Sequence, residues 1–369
     1  MYINLILIPF VIILGLFFSS NDTPRVRRNY IIVCSAILML VAALRSPEWM
    51  TNMYSIDTLS YKDTFESTFY MSWDEFWASV YERYWLGEGE SDIGYLALNK
   101  LIGLFTHEFS IFSLLADLLF FVPFGMLLYR YCSNILQVMF AFVFYIALVQ
   151  VFFLGGARQM FALGFDLMAL IAMIDKKRLW TAVFLLMAIS IHFSSILFLV
   201  PLLMVWYNFS SKTLKMLHLA AFLVFPIVFL FPNQLIVFMG ESVGLDKYAE
   251  YGRGAIRGGA NTFIFLIETL SLFCLVAIQK RNLIHDSTIK LFYTMAPLLT
   301  FFASLIRSNG SMIRISLYYH LFLVFLVPFA IDCMASRRNR NLIYFIAIGA
   351  LAFLTISEGG MRYYFYWQI

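Results

Sequence analysis

The chain has 369 residues, of which 62% are hydrophobic and only 13% charged, about half the charged share of a soluble domain. With a mean hydropathy of +0.82, these values exclude a soluble globule, a disordered chain and a nucleic-acid-binding domain. The net charge of +4 is too small to imply a polyanionic partner and bears on orientation instead.

Apolar runs fall at 2–18, 30–44, 109–129, 134–153, 157–174, 213–231, 261–279, 289–306, 312–332 and 341–356, with a longer one at 179–206. In lipid each must satisfy its own backbone, so all are expected as helices. The fold class is therefore an all-α polytopic membrane protein with about ten to twelve transmembrane helices, forming a single integral membrane domain over 1–369. The first run lacks a basic leader and a small-residue cleavage site, and reads as a retained span. Cys34, Cys132, Cys274 and Cys333 show no CxxC pairing, which indicates neither a disulfide framework nor a zinc site.

Lysine and arginine in short loops set the orientation. Arg25, Arg27 and Arg28 put the first loop in the cytoplasm, as do Arg130, the run Lys176–Arg178, then Lys280, Arg281 and Lys290, and finally Arg337, Arg338 and Arg340. The N-terminus is then outside. All these clusters stay inside only if 179–206 enters and returns, which predicts a break near His192 and a re-entrant or broken hairpin. Each arm of about 13 residues spans about 20 Å, short of a full crossing.

Two outward loops are long. Segment 46–95 holds ten acidic residues against Lys62 and Arg83, with thirteen aromatics; 57–70 and 73–85 read as amphipathic helices on the membrane surface. Segment 232–261 has six glycines around Arg253 and Arg257 and reads as a mobile loop whose amides suit an anion.

Arg45, Arg158, Arg307 and Arg314 fall at outer helix ends, where positive-inside bias disfavours them. Planar guanidinium groups suit bidentate binding of phosphate, and the set points to a lipid-linked phosphate or pyrophosphate. Each arginine singly is equally explained by snorkelling or by pairing with the acidic segment. Arg158 follows Gly155 and Gly156 and opens a helix at the end where the dipole disfavours a cation. A bound anion would reverse that sign; so would a salt bridge to one of the ten carboxylates.

His192, flanked by Ser190, Ser194 and Ser195, is either a hydrogen-bonded structural residue or a general base. His107, His218, His285 and His320 are placed in loops or near helix ends, without the spacing of a metal triad. Asp117, Asp166 and Glu268 are intramembrane acids, with structural pairing the commoner role. Asp57, Asp63, Glu88, Glu90 and Asp92 are outer acids able to serve as a base for sugar transfer.

The stretches SIDTLSYKDTFE, SDIGYLALNKLI, the block from GGARQMF through KKR to IHFSSILF, and IRISLYYHLFL resemble, in order and over roughly 40–330, the EpsG-type bacterial polysaccharide polymerases, relatives of the Wzy O-antigen and capsule polymerases. The resemblance implies a metal-independent glycosyltransferase at the outer face of the inner membrane, without cofactor. It would join undecaprenyl-pyrophosphate-linked oligosaccharide repeats, which serve as both donor and acceptor, with a chain-length regulator and a flippase as further partners. Carried onto this sequence, the family's positions are Arg45, Asp57, Tyr61, Tyr95, Arg158, Gln159, His192, Ser195, Arg314 and Tyr318. The family's glycine before Asp57 is Ile56 here. Combining both readings, His192, Asp57 and Arg158 are the expected catalytic residues. Arg45, Arg158, Arg253 and Arg314 are expected to bind pyrophosphate, and Tyr61, Trp85, Tyr95, Gln159 and Tyr318 sugar. A ligase-like transferase and a lipid-linked sugar flippase are the rival readings; the absence of sequence repeats and the placement of charge at the outer rim disfavour the flippase.

Overall fold

The computed structural model describes residues 3–46, 56–87, 92–150, 156–243, 246–253, 260–281, 287–309, 312–336, 339–357, 363–365 and 367. Among these the chain is helical throughout, apart from one isolated bridge between Arg45 and Phe365. It divides into two compact units, residues 1–199 with 347–369, and residues 200–346.

The first unit begins with α1 (Asn4–Ser19), α2 (Pro24–Ala43), α3 (Ile56–Tyr70) and α4 (Trp73–Tyr81), the last running into a π turn (Glu82–Leu86). It continues with α5 (Ile93–Gly103), α6 (Phe109–Tyr131), α7 (Ile135–Leu148), α8 (Ala157–Ile174) and α9 (Arg178–Ile191), followed by a 3₁₀ turn (Phe193–Phe198). Local chemistry sets several starts. Thr23 caps α2 ahead of Pro24, and Asn134 caps α7 through the Gln137 amide. Ser72 and Glu75 form a reciprocal capping box on α4, satisfying two otherwise orphaned donors.

Helix α8 is the centre of this unit and packs against α6 and α9. A Cβ on Gly164 of α8 would come within 2.5 Å of the Leu119 carbonyl oxygen of α6, and one on Gly94 of α5 within 2.6 Å of the Ser190 backbone of α9. Glycine is what lets these backbones meet. Beneath α3 and α5 lies a core of Tyr61, Phe65, Tyr95, Phe112, Phe161 and Ile191.

The second unit holds most of α10 (Leu199–Trp206), then α11 (Ser211–Leu230), α12 (Pro232–Val243), α13 (Asp246–Arg253), α14 (Asn261–Arg281), α15 (Ser287–Tyr293), α16 (Met295–Leu305), α17 (Ile313–His320) and α18 (Leu323–Met334). Helix α19 (Arg340–Ser357) crosses the division between the units.

Among the described residues, length and composition qualify α2, α6, α8, α11 and α14 as membrane spans, with a sixth if α17 and α18, bent by 47° at their junction, count as one. Five or six of the ten to twelve expected spans meet that criterion; the other described apolar helices are shorter than the roughly 20 residues of a straight crossing. The segment 232–261, read as a mobile loop, instead forms α12 and α13 over most of its described part. Two of its glycines serve close packing: a Cβ on Gly240 would lie 2.6 Å from the Ala249 amide, and one on Gly252 2.7 Å from the Asn233 carbonyl oxygen. Glycine content signalled a loop, but two helix backbones in contact need the same residue. Arg257 lies outside the described residues.

Gly164→Ala should destabilise the protein by about 1–3 kcal/mol, the usual range for overpacking. Gly349→Ala in α19, whose added Cβ meets nothing within 4 Å, should stabilise it by about 0.5–1 kcal/mol. Thermal unfolding of the detergent-solubilised variants separates the two.

Candidate functional site

Three elements of the first unit converge on one carboxylate. Helix α9 ends at Ile191; His192 is extended (φ −151°, ψ 109°) and the 3₁₀ turn follows. The break expected near His192 thus falls at that residue. Gly156 caps α8 and puts Arg158 in its first turn. Asp92 stands immediately before α5.

Asp92 Oδ2 accepts a hydrogen bond from Arg158 Nη1 at 3.1 Å, and Oδ1 accepts one from the Phe193 backbone N–H at 3.4 Å. His192 Nδ1 lies 3.6 Å from Oδ2, within ion-pair distance but too long for a hydrogen bond. The carboxylate is buried, at 8% side-chain exposure, whereas Arg158 and His192 are 30% and 25% exposed. A buried anion therefore sits beneath two partly open cationic or basic groups. Burial alone would push the Asp92 carboxyl up, but His192, Arg158 and the Phe193 amide outweigh burial and hold it below the ordinary carboxylate value.

Aromatic rings complete the setting of Arg158. Its Cζ lies 5.4 Å from the ring centroids of both Tyr61 and Tyr95, close enough for cation–π attraction. Those rings meet edge to face at 6.0 Å and are 5% and 2% exposed. Tyr61 and Tyr95, expected to touch sugar, are thus seated as walls around the guanidinium. Gln159 is buried beside Arg158 in α8.

Arg45 engages the same face of α3. It donates to Thr58 Oγ1, one turn before Tyr61. The chain near its C-terminus clasps this corner: Ser46 N–H donates to the Tyr364 carbonyl at 2.9 Å, and Tyr363 Oη donates to the Val41 carbonyl. Asp57 occupies the first turn of α3, half-buried. Trp85 lies exposed on the π turn.

The remaining expected residues belong to the second unit. Arg253 is exposed and paired with Glu241 at 2.9 Å. Arg314 is half-buried in α17, and Tyr318 one turn on is fully buried. Arg45 and Arg158 therefore share a unit, and Arg253 and Arg314 belong to the other. Arg307 donates to the Phe229 carbonyl at 2.6 Å. Glu88, Glu90, His285 and Arg362 fall outside the described residues.

Asp92, at the centre, was one of several outer acids in the sequence and was given no role of its own. Its signal was its place: an aspartate directly ahead of a helix, with glycine and tyrosine following, in the stretch SDIGY. His218, placed in a loop or near a helix end by the sequence, is instead fully buried within α11. Its Nδ1 lies 2.8 Å from Tyr293 Oη and its Nε2 2.9 Å from Ser271 Oγ.

The fold and this site describe a multi-pass helical membrane protein with a buried carboxylate set under an arginine and a histidine. The family comparison is specific: residues 32–360 match the EpsG family. The chain therefore belongs to the EpsG family, a Wzy-like polysaccharide polymerase family, which suggests a role as a glycosyltransferase-type polysaccharide polymerase. Neither the curated proteins nor the solved structures contain a match to it.

Asp92→Asn should lower stability by about 2 kcal/mol, the order of a hydrogen bond to a charged group. The sign with pH follows from the depressed carboxyl. The native form binds its proton later than the unfolded form, so the contribution is full above the usual carboxylate value and is lost as pH falls through the lower native one. Unfolding of wild type and Asp92→Asn in detergent, compared from pH 7 down to pH 3, should show the gap closing.

Proposed function

We propose that this protein joins undecaprenyl-pyrophosphate-linked oligosaccharide repeats at the outer face of the bacterial inner membrane. The single observation that supports this reading is the Arg158–Asp92–His192 cluster, in a chain that belongs to a polymerase family. The growing chain on one carrier passes to a sugar hydroxyl of a new repeat on another.

His192 takes the hydroxyl proton as the oxygen attacks the anomeric carbon. The bond from that carbon to the diphosphate breaks, and its electron pair leaves with the diphosphate. Arg158, at the positive end of α8, stabilises the departing charge. Donors fixed in advance where water is sparse are worth more than donors in bulk water. Arg45 supports Arg158 across α3, and Asp57 is the second candidate base.

The ion pair between Arg158 and Asp92 gives this scheme a coupling. A diphosphate that engages Arg158 competes with Asp92 for it. The released carboxylate keeps the Phe193 amide and the His192 imidazole beside it. Asp92 is in this scheme a positioning residue. Ten to twelve crossings, with the N-terminus outside and the short apolar helices 135–148 and 289–305 among the spans, belong to the same proposal, as do a chain-length regulator and a flippase as partners.

Arg158→Ala should abolish polymer while leaving the protein inserted, with single repeats accumulating on the glycan acceptor in gels. His192→Ala should lower polymerisation by about 10²-fold or more, the range of lost general base catalysis. Carrier-bound polymer of normal length in the Arg158→Ala strain would instead favour the ligase reading, and normal polymer on its normal acceptor would remove the assignment.

A further inference from the structure

One surface of the first unit is not used by the site. Along α4 and the π turn, Trp77, Tyr81 and Trp85 recur at four-residue spacing and are 61%, 54% and 73% exposed, with Tyr84 beside them at 63%. The rings of Tyr81 and Trp85 lie nearly parallel, 11° apart with centroids at 5.8 Å. The two rings stack, and the outer ring face of the pair, with Trp77 one turn before it, is left exposed. The turn that carries them is a π-helix ending at Gly87, which takes the left-handed conformation (φ 73°); such turns are rare and concentrate at functional positions.

The element is anchored. The capping box holds its start, Phe76 is buried, and Lys100 of α5 donates to the Met71 carbonyl while its ammonium lies 4.6 Å from the Trp73 ring centroid. Helix α5 begins directly after Asp92. Trp85 and Asp92 are seven positions apart in the chain, so their Cα atoms are at most about 25 Å apart.

Charge decides what such a face can hold. Residues 56–87 carry six acids, Asp57, Asp63, Glu66, Asp74, Glu75 and Glu82, against Lys62 and Arg83. Asp74, Glu75 and Glu82 are exposed, and Arg83 is half-buried. Asp74 stands one helical turn from Trp77, and Glu82 begins the turn that carries Trp85. Helices that lie on anionic membranes are rich in lysine and arginine on their polar face; this one has the opposite sign. Acids within a Debye length of about 8–10 Å repel anionic lipid and anionic polymer alike, but not a neutral sugar. The C–H face of a pyranose also meets the negative face of an aromatic ring favourably.

We propose that Trp77, Tyr81 and Trp85 form a platform for an extended glycan chain, and that the chain this protein handles carries no net negative charge per repeat. The inference rests on the polymerase reading and adds a holding site and a substrate class to it. The platform keeps a growing or acceptor chain within reach of Asp92, Arg158 and His192, so it governs how far a chain grows and not whether a bond forms.

The test uses the full-length protein in its producing cells and in lipid nanodiscs. Trp77→Ala and Tyr81→Ala should keep polymer but lower its modal length at least twofold, with Tyr81→Phe restoring it. The purified wild-type polymer should pass through an anion exchanger at neutral pH. In nanodiscs made with brominated phosphatidylcholine, the fluorescence difference between wild type and Trp85→Phe should be unquenched by the lipid and quenched by aqueous acrylamide. Unchanged length in both alanine variants, strong quenching by brominated lipid, or a polymer retained on the exchanger would each overturn the proposal. Normal length in both alanine variants alongside loss of polymer in Arg158→Ala would overturn it while leaving the polymerase reading intact.

Discussion

A carboxylate removed from water must be met by donors or by basic groups within ion-pair distance, and at Asp92 separate elements supply them. Its partners are a side chain from the first turn of α8, a backbone amide from the turn after α9 and the imidazole at the break between them. None of these is available without a local departure from regular structure. Phe193 N–H can donate to Asp92 because the helix stops at Ile191. Arg158 is in position because α8 starts at Gly156. Helix α5 can bring Asp92 there because Gly94 admits the α9 backbone. Removing one partner leaves a buried charge uncompensated, so the three departures depend on one another.

Arg158 shows how a local penalty becomes part of a site. A cation at a helix N-terminus opposes the dipole by a few tenths to about 1 kcal/mol. Asp92 and the rings of Tyr61 and Tyr95 offset that. The outcome joins two readings that the sequence set against each other. The arginine is salt-bridged to an acid of the 46–95 segment, and it remains open enough to meet an anion. Paired in this way, the guanidinium is not left as an uncompensated cation.

The second unit handles its polar groups differently. His218, Tyr293, Ser271 and Thr300 form a closed hydrogen-bonded set among α11, α14, α15 and α16, as buried polar groups in an apolar bundle must. Arg253 and Arg307 are taken up by Glu241 and by a backbone carbonyl. Sequence position alone grouped these arginines with Arg158, yet each has found its partner within its own unit.

Composition and hydropathy pattern were sufficient for the all-helical membrane architecture, because apolar runs of this length have no other way to satisfy their backbones in lipid. Helices over 57–70 and from Trp73 were legible from their spacing, and the break at His192 from the charge parity of the loops. The family resemblance rested on residues that could be read in order along the chain. Three things were not legible. Whether an apolar run is one long helix or two short ones depends on packing, so the helix lengths were not. Glycines that mark a loop and glycines that let two helices touch look alike in sequence, so α12 and α13 were not. The role of Asp92 was hidden because an aspartate in an acidic segment gains its meaning only from what folds against it. Arg158 is 66 positions away in the chain and Phe193 is 101, and only the tertiary structure brings them together.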